Sequence, residues 1–247
     1  MNTCCFHNMR VIANFDHSLT PHMSGKTQLK WLIFSILLIS SGLAATGQKK
    51  VIFRDHFRDN RNHWATRQQN EFSVNIKRSA IWLEKKTKNR INNGCLWLTE
   101  TIPNLKTEQD FSISFKAVLN SWDDVVNHFD IQWGSVKIDT AHRAQTQFFQ
   151  LDFSADNVRL ARYDGSAKNP WTYSPSAPYP IINGKPFRIH PGKMHRYTIL
   201  QNNNILVVKI DNRVVYTLPI ASVSGSSIGI QQCLKSNWRM NKLVIRQ

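Results

Sequence analysis

Residues 195–218 read HRYTILQNNNILVVKIDNRVVYTL. Tyr197 and Ile199 alternate with polar neighbours, Ile205 to Ile210 is a run rich in β-branched residues, and Val214 to Leu218 resumes after a break. The breaks are Gln201-Asn-Asn-Asn204 and Asp211-Asn212-Arg213. Asparagine and aspartate enter the left-handed backbone region more easily than other non-glycine residues, so both breaks read as tight turns. The stretch is an antiparallel meander of three short strands, suited to the back half of a β-sandwich.

The same signals recur on both sides of it. Phe72, Val74 and Ile76 alternate with polar residues, and Ala80 to Leu83 and Leu96 to Leu98 are short apolar runs. Phe111, Ile113, Phe115 and Ala117 alternate with Ser112, Ser114 and Lys116. Phe129, Ile131 and Trp133 do so with Asp130 and Gln132, and Phe149, Leu151 and Phe153 with Gln150 and Asp152. Val158 to Tyr163, Ile228 to Ile230 and Leu243 to Ile245 complete the set. A period of two places one face of each strand against a core. Phe115, Trp133, Phe149, Leu151, Val207 and Tyr197 are expected inside, as are Trp64, Trp82, Trp97 and Trp238. Many short strands, polar turns and no helical period predict an all-β chain, a sandwich of two antiparallel sheets. One irregular piece stands out, Ser166 to Ile182, with Pro170, Pro175, Pro178 and Pro180 around Trp171 and Tyr173. Proline cannot serve a central strand, and a loop of this length is usually functional or disordered.

The front of the chain has a different character. Met23 to Lys30 is short and basic, Trp31 to Leu43 is apolar over 13 residues, and Ala44-Ala-Thr-Gly47 is small. That is the layout of a secretory signal peptide, and the apolar run falls short of the roughly 20 residues that a membrane span needs. Three segments are expected: a non-native or disordered extension at 1–22, a signal at 23–47 cleaved between Ala45 and Gln48, and one domain at 48–247. The address implied is secreted, periplasmic or cell envelope, with no stable membrane span after cleavage. Of the four cysteines, Cys95 and Cys233 remain in that domain; in an exported chain they form one disulfide or stay as two buried thiols. The net charge is +16, and residues 1–47 contribute only Arg10, Lys26, Lys30 and Asp16, so +14 belongs to the domain. Such a field attracts anions. No nucleic-acid motif accompanies it, which leaves an anionic glycan as the better partner, beside a surface that is merely soluble.

Three pieces taken together resemble secreted bacterial domains of the concanavalin A-like lectin/glucanase superfamily. Phe53-Arg-Asp-His-Phe57 with Asp59, Asn60 and Trp64 looks like the family's opening F-x-D-x-F-x-D-N…W. FFQLDFSADNVRLARYDG, 148–165, resembles its central strand–turn–strand. The meander at 195–218 and Gly229 to Val244 are similar to its back half. The resemblance covers nearly all of 50–246 and implies a jelly roll with one convex and one concave sheet, glycans being bound or cleaved on the concave face. It extends to jelly rolls of the keto-disaccharide hydrolase and laminin-G type. The glucanase branch carries E-x-D-x-x-E on one strand. No such string occurs here, and the domain's glutamates, Glu71, Glu84, Glu100 and Glu108, lie on separate segments.

The candidate binding residues follow from phase. Asp130 with Gln132, and Gln150 with Asp152, each share a strand face, and the four would form one polar patch if their strands are neighbours. The alternative is an ordinary solvated face. Trp171 and Tyr173 offer rings for stacking on a sugar, or the loop folds back and they plug the sandwich edge. Arg162 would add a charge-assisted donor for an acidic sugar. The function expected is an exported, non-catalytic, lectin-like carbohydrate-binding domain. The alternatives are a glycoside hydrolase with an acid pair drawn from Asp130, Asp139 or Asp152, and a structural envelope domain without a small ligand. No cofactor is implied. Asp55, Asp59 and Asn60 could ligate a structural calcium ion or simply cap a turn. His128, His142, His190 and His195 lack metal-ligand spacing.

Overall fold

The computed structural model describes residues 49–68, 72–85, 95–120, 129–136, 145–175, 177–182, 185–233 and 237–247. The expectations at 1–48, including the signal segment, and those on His128, Asp139 and His142 lie outside these residues. The strands are β1 (Val51–Asp55), β2 (Arg67–Gln68), β3 (Phe72–Lys77), β4 (Ala80–Lys85), β5 (Cys95–Thr101) and β6 (Phe111–Leu119). They continue with β7 (Phe129–Ser135), β8 (Gln147–Phe153), β9 (Asn157–Asp164), β10 (Trp171–Tyr173), β11 (Ala177–Pro178) and β12 (Ile181–Ile182). The last are β13 (Lys185–Pro186), β14 (Met194–Asn202), β15 (Ile205–Ile210), β16 (Arg213–Pro219), β17 (Ser227–Cys233) and β18 (Trp238–Arg246).

Two antiparallel sheets result, as in a jelly-roll β-sandwich. One runs β16-β15-β14-β6-β18-β4-β3-β2, with β1 also on β18; the other runs β10-β9-β8-β7-β17-β5, with β11 also on β9. β12 and β13 form a separate short pair. The described residues contain no α-helix, and no helix long and apolar enough to cross a membrane.

The meander closes through two-residue turns. Asn202 pairs with Ile205 and Ile210 with Arg213. Asn203, Asn204, Asp211 and Asn212 all have φ between +49° and +67°. Positive φ at both central residues is the type I′ pattern, whose twist matches the flanking strands. The turns are thus shorter than the polar stretches suggest: Gln201 and Asn202 belong to β14, and Arg213 to β16.

β18 holds the nine-stranded sheet together. One edge of it follows β6; the other pairs first with β4 at Trp238–Met240 and then with β1 at Leu243–Arg246. A bulge between Asn241 and Val244 separates the two halves, and Lys242 within it has φ +52°. Lys50 and Gln247 extend the β1 pairing by exchanging two backbone hydrogen bonds of 2.9 Å.

Aromatic rings from both sheets fill the core. Phe115 stacks on Tyr197 at 4.9 Å, and Phe129 lies against Phe153 at 5.0 Å and Trp238 at 4.9 Å. Phe115, Trp133, Phe149, Leu151 and Tyr197 are buried as expected. Val207 is not; Leu206, Val208 and Ile210 take the inner face of β15, and Val207 points outward. Trp64, Trp133 and Trp238 are core residues, but Trp82 and Trp97 are not. Ile81 and Leu83 point inward, so Trp82 faces out, between Lys77 and Arg239 at 5.0 and 4.9 Å from its ring.

The opening motif is a turn organised by one buried carboxylate. Asp55 accepts hydrogen bonds from the Phe57 N–H at 2.6 Å, Asn62 Nδ2 at 2.7 Å and Trp64 Nε1 at 2.8 Å. Asp59 pairs with Arg61, and Asn60 Nδ2 donates to the Trp64 carbonyl. A cavity of about 190 Å³ beside it is lined by Arg54, Arg58 and Arg61 together with Asp55, Asp59 and Asn62. Asp55 and Asp59 thus cap turns, and among the described residues no group of three His, Cys, Asp or Glu is placed to hold a metal ion.

Candidate functional site

The strands at 129–135 and 147–153 are neighbours in one sheet, with Asp130 opposite Asp152 and Gln132 opposite Gln150. All four side chains stand on the face away from the core, because Phe129, Ile131, Trp133, Phe149, Leu151 and Phe153 occupy the inner one. They are not a solvated face: Asp130 and Gln132 are fully buried, and Gln150 and Asp152 nearly so.

Buried polar groups must be paired, and here they pair with one another. Gln132 Nε2 donates to Gln150 Oε1 at 2.8 Å and to Gln231 Oε1 at 2.9 Å. Gln150 Nε2 donates to Asp152 Oδ1 at 2.8 Å, and reaches Asp130 Oδ2 at 3.4 Å. Arg159 closes the chain, its Nη2 and Nε donating to Asp152 Oδ2 at 2.7 and 3.1 Å. The result is one hydrogen-bonded ribbon across β17, β7, β8 and β9. Gly229 makes room for it, since a Cβ there would lie 2.4 Å from Gln132 Oε1.

Burial first, and the neighbouring Asp152 second, push the Asp130 carboxyl well above its ordinary range, against the opposing Arg159. The shift favours its protonated form, which hydrogen-bonds Asp152. The sign for stability follows. An unfolded aspartate ionises near pH ~3.9, so Asp130 favours folding below that pH. This contribution is lost as the pH rises toward the folded-state value, with a slope of at most ~1.4 kcal/mol per pH unit. Asp130→Asn keeps the shape and a donor, and removes the titration. The variant should be more stable than the parent at pH 7 and should show a flatter pH profile above pH ~4. Urea midpoints between pH ~4 and ~8 measure it, and a variant less stable at pH 7 contradicts the assignment.

Arg162 does not join this face. It stands opposite Phe149, in phase with the inward Val158 and Leu160; the arginine on the ribbon's face is Arg159, opposite Asp152. The 166–182 segment is also more regular than expected. β10 and β11 add to the β9 edge, where proline is tolerated. Trp171 pairs with Tyr163 and Tyr173 with Ala161, which sets both rings on the same outer face as the ribbon rather than into the sandwich edge.

There they extend a line of rings that the sequence reading missed. Trp97 meets Phe148 at 6.1 Å, Phe148 stacks on Tyr163 at 5.0 Å, Tyr163 meets Trp171 at 5.0 Å, and Trp171 stacks on Tyr173 at 5.9 Å. Phe148 is buried, Trp97, Tyr163 and Trp171 are half-buried, and Tyr173 is exposed. Arg159 lies 4.7 Å over the Tyr173 ring, with its side chain 41% exposed. Among the described residues the β8–β10 end of this face is thus aromatic where it is accessible, with Arg159 at its edge, and the acids and amides lie buried beside it.

At the other end of the sheet, the register sets Cys95 directly opposite Cys233; their side chains lie outside the described residues. His195, on β14, is buried and its Nδ1 sits 2.7 Å from Asp211 Oδ2, a structural pairing. Burial would raise the Asp211 carboxyl, but the Arg196 N–H and His195 outweigh it and hold that carboxyl below its ordinary range.

No protein-family model and no curated protein sequence matches the chain. Solved structures do share its fold. A protein of unknown function with a galectin-like fold from Bacillus subtilis superposes with a TM-score of 0.56 at 7% identity, over 81% of this chain and 97% of that one. A Bacillus licheniformis β-glucanase does so at 0.51 and 12%, over 82% and 99%. The carbohydrate recognition domain of Emp47p also reaches 0.51 at 12%, over 83% and 99%. At such identities the likeness is one of fold: the chain has the concanavalin A-like, galectin-like jelly roll.

Proposed function

We propose that this is an exported carbohydrate-binding domain that holds a saccharide on the outer face of its seven-stranded sheet, without cleaving it. The observation that carries this is the row Trp97, Tyr163, Trp171 and Tyr173, partly open to solvent, with Arg159 at its end. Aromatic faces suit the apolar C–H faces of pyranose rings, and Arg159 can donate to a sugar hydroxyl or carboxylate. A carbohydrate recognition domain and a glucanase among the fold's neighbours support a saccharide as the ligand.

The acid pair favours binding over hydrolysis. Glycosidic cleavage needs two carboxyls about 5–9.5 Å apart, one on each side of the scissile bond. Asp130 and Asp152 are instead hydrogen-bonded to each other, and Asp152 is committed to Gln150 and Arg159. A sugar cannot enter between them.

Trp171→Ala should weaken saccharide binding by at least ~1 kcal/mol, the size expected of a contact residue, while the thermal midpoint stays near the parent's. Arg162→Gln, on the opposite face, should leave affinity unchanged. A glycan array followed by calorimetry on the best ligand measures both. Release of reducing sugar from any glycan, stopped by Asp152→Asn, would replace this reading with the hydrolase.

A further inference from the structure

The outer face of the other sheet, on β14, β6 and β18, carries a groove of about 230 Å³. Its charged lining is Lys116, Arg196, Lys242 and Arg246, with Ser114 and Thr198 between them. Among the described residues none of the four cations makes an ion pair. Asp211, next to the groove's rim, is taken up by His195 and by the Arg196 N–H.

Two features show the sequence paying for this cluster. Lys116 stands directly opposite Arg196 across the β6–β14 pair. Like charges at paired positions destabilise a sheet. Lys242 reaches the groove from a bulge at φ +52°, a conformation that a lysine adopts only at a cost in strain. An anion bound between the cations relieves the first and gives the second a use. We infer that this face binds the sulfate or phosphate groups of an acidic polysaccharide, as a site separate from the aromatic row on the other sheet.

The spacing favours a polymer over a single small ion. Arg246 stands opposite Ser112, and Lys116 is four residues further along β6, about 13 Å at the rise of a strand. The two positive stations are joined by the hydroxyls of Ser114 and Thr198, which are paired neighbours. Anionic groups at both ends and hydroxyls between them match a charged sugar chain. The apolar lining residues, Phe115 and Val244, are buried, and the Phe115 ring is stacked on Tyr197 inside the core. Among the groove's lining residues, therefore, no ring is offered to a nucleobase and no exposed apolar side chain to a lipid bilayer.

The test is calorimetric titration of the full chain with dextran sulfate, and with uncharged dextran, at physiological salt. Dextran sulfate should bind and dextran should not. Lys116→Gln/Arg246→Gln should weaken binding about tenfold or more and reduce its salt dependence, with a thermal midpoint equal to or above the parent's. Lys168→Gln/Arg188→Gln removes the same charge from exposed positions elsewhere and should change affinity less than about twofold. Trp171→Ala should leave the salt dependence of dextran sulfate binding unchanged, which separates this site from the proposed saccharide face. Equal losses in the two double variants would reduce the site to bulk charge and overturn the inference. So would no binding of dextran sulfate, or binding of single-stranded DNA or phosphatidylglycerol vesicles as tight as that of dextran sulfate.

Discussion

Phe129→Ala should cost about 3–5 kcal/mol, the range for a buried aromatic cut back to a methyl. Phe129 is the ring through which the two sheets meet. It contacts Phe153 on its own sheet at 5.0 Å, and from the other sheet Trp238 at 4.9 Å, Tyr197 at 5.2 Å and Phe115 at 6.3 Å. Phe115 and Tyr197 cannot move in to fill the gap without breaking their own stack at 4.9 Å. The loss is therefore a transfer loss plus a cavity that stays open. Phe129→Leu keeps much of the volume and should cost clearly less. Urea denaturation followed by tryptophan fluorescence measures both, and a loss below ~1 kcal/mol for the alanine variant would mean that the cluster relaxes freely.

Asp55→Ala is expected to be nearly as damaging, for an unrelated reason. The deletion removes little volume but strands three donors: the Phe57 N–H, Asn62 Nδ2 and Trp64 Nε1. Phe57 and Trp64 are buried, so water cannot replace the carboxylate there. Each buried donor left unpaired costs about 1–3 kcal/mol, which for the two at Phe57 and Trp64 puts the variant about 2–6 kcal/mol below the parent. Asp55→Asn offers one acceptor oxygen to three donors and should recover less than half of that. The Trp64 environment should open first, seen as a red-shifted emission component at urea concentrations where the sheets persist. A variant within ~0.5 kcal/mol of the parent would show that the turn holds without its carboxylate.

Both effects arise in segments whose sequence was readable. The alternation of Phe129, Ile131 and Trp133 against Asp130 and Gln132 fixes the inner face of β7 without reference to any other strand. The Asn and Asp pairs in the meander fix two turns, because few residues accept positive φ. Phase was lost where both faces are apolar or where a turn intervenes. Ile205-Leu-Val-Val208 offers no alternation, and only Lys209, in phase with Val207, marks the outer face. Leu96-Trp-Leu98 and Ile81-Trp-Leu83 hide their outward tryptophans in the same way. Arg162 was misassigned across the Ser154–Asn157 turn, although Val158 and Leu160 share its phase and mark that face as inner. The burial of the acid–amide ribbon was not legible at all. Polar residues at period two look alike whether they meet water or each other, and only the register brings Gln231 and Arg159 to complete the pairing.

Lys50 and Gln247 lie side by side on antiparallel strands, so a pull between these two residues acts at right angles to the β1 and β18 axes. The load then falls on one backbone hydrogen bond after another, as when a zipper opens. A force directed along β6 and β14 would instead have to shear eight paired positions together. Tension applied between Lys50 and Gln247 therefore peels β1 away first. That peeling reaches Asp55 at its last step and releases the turn around Trp64 while the rest of both sheets still bears no load.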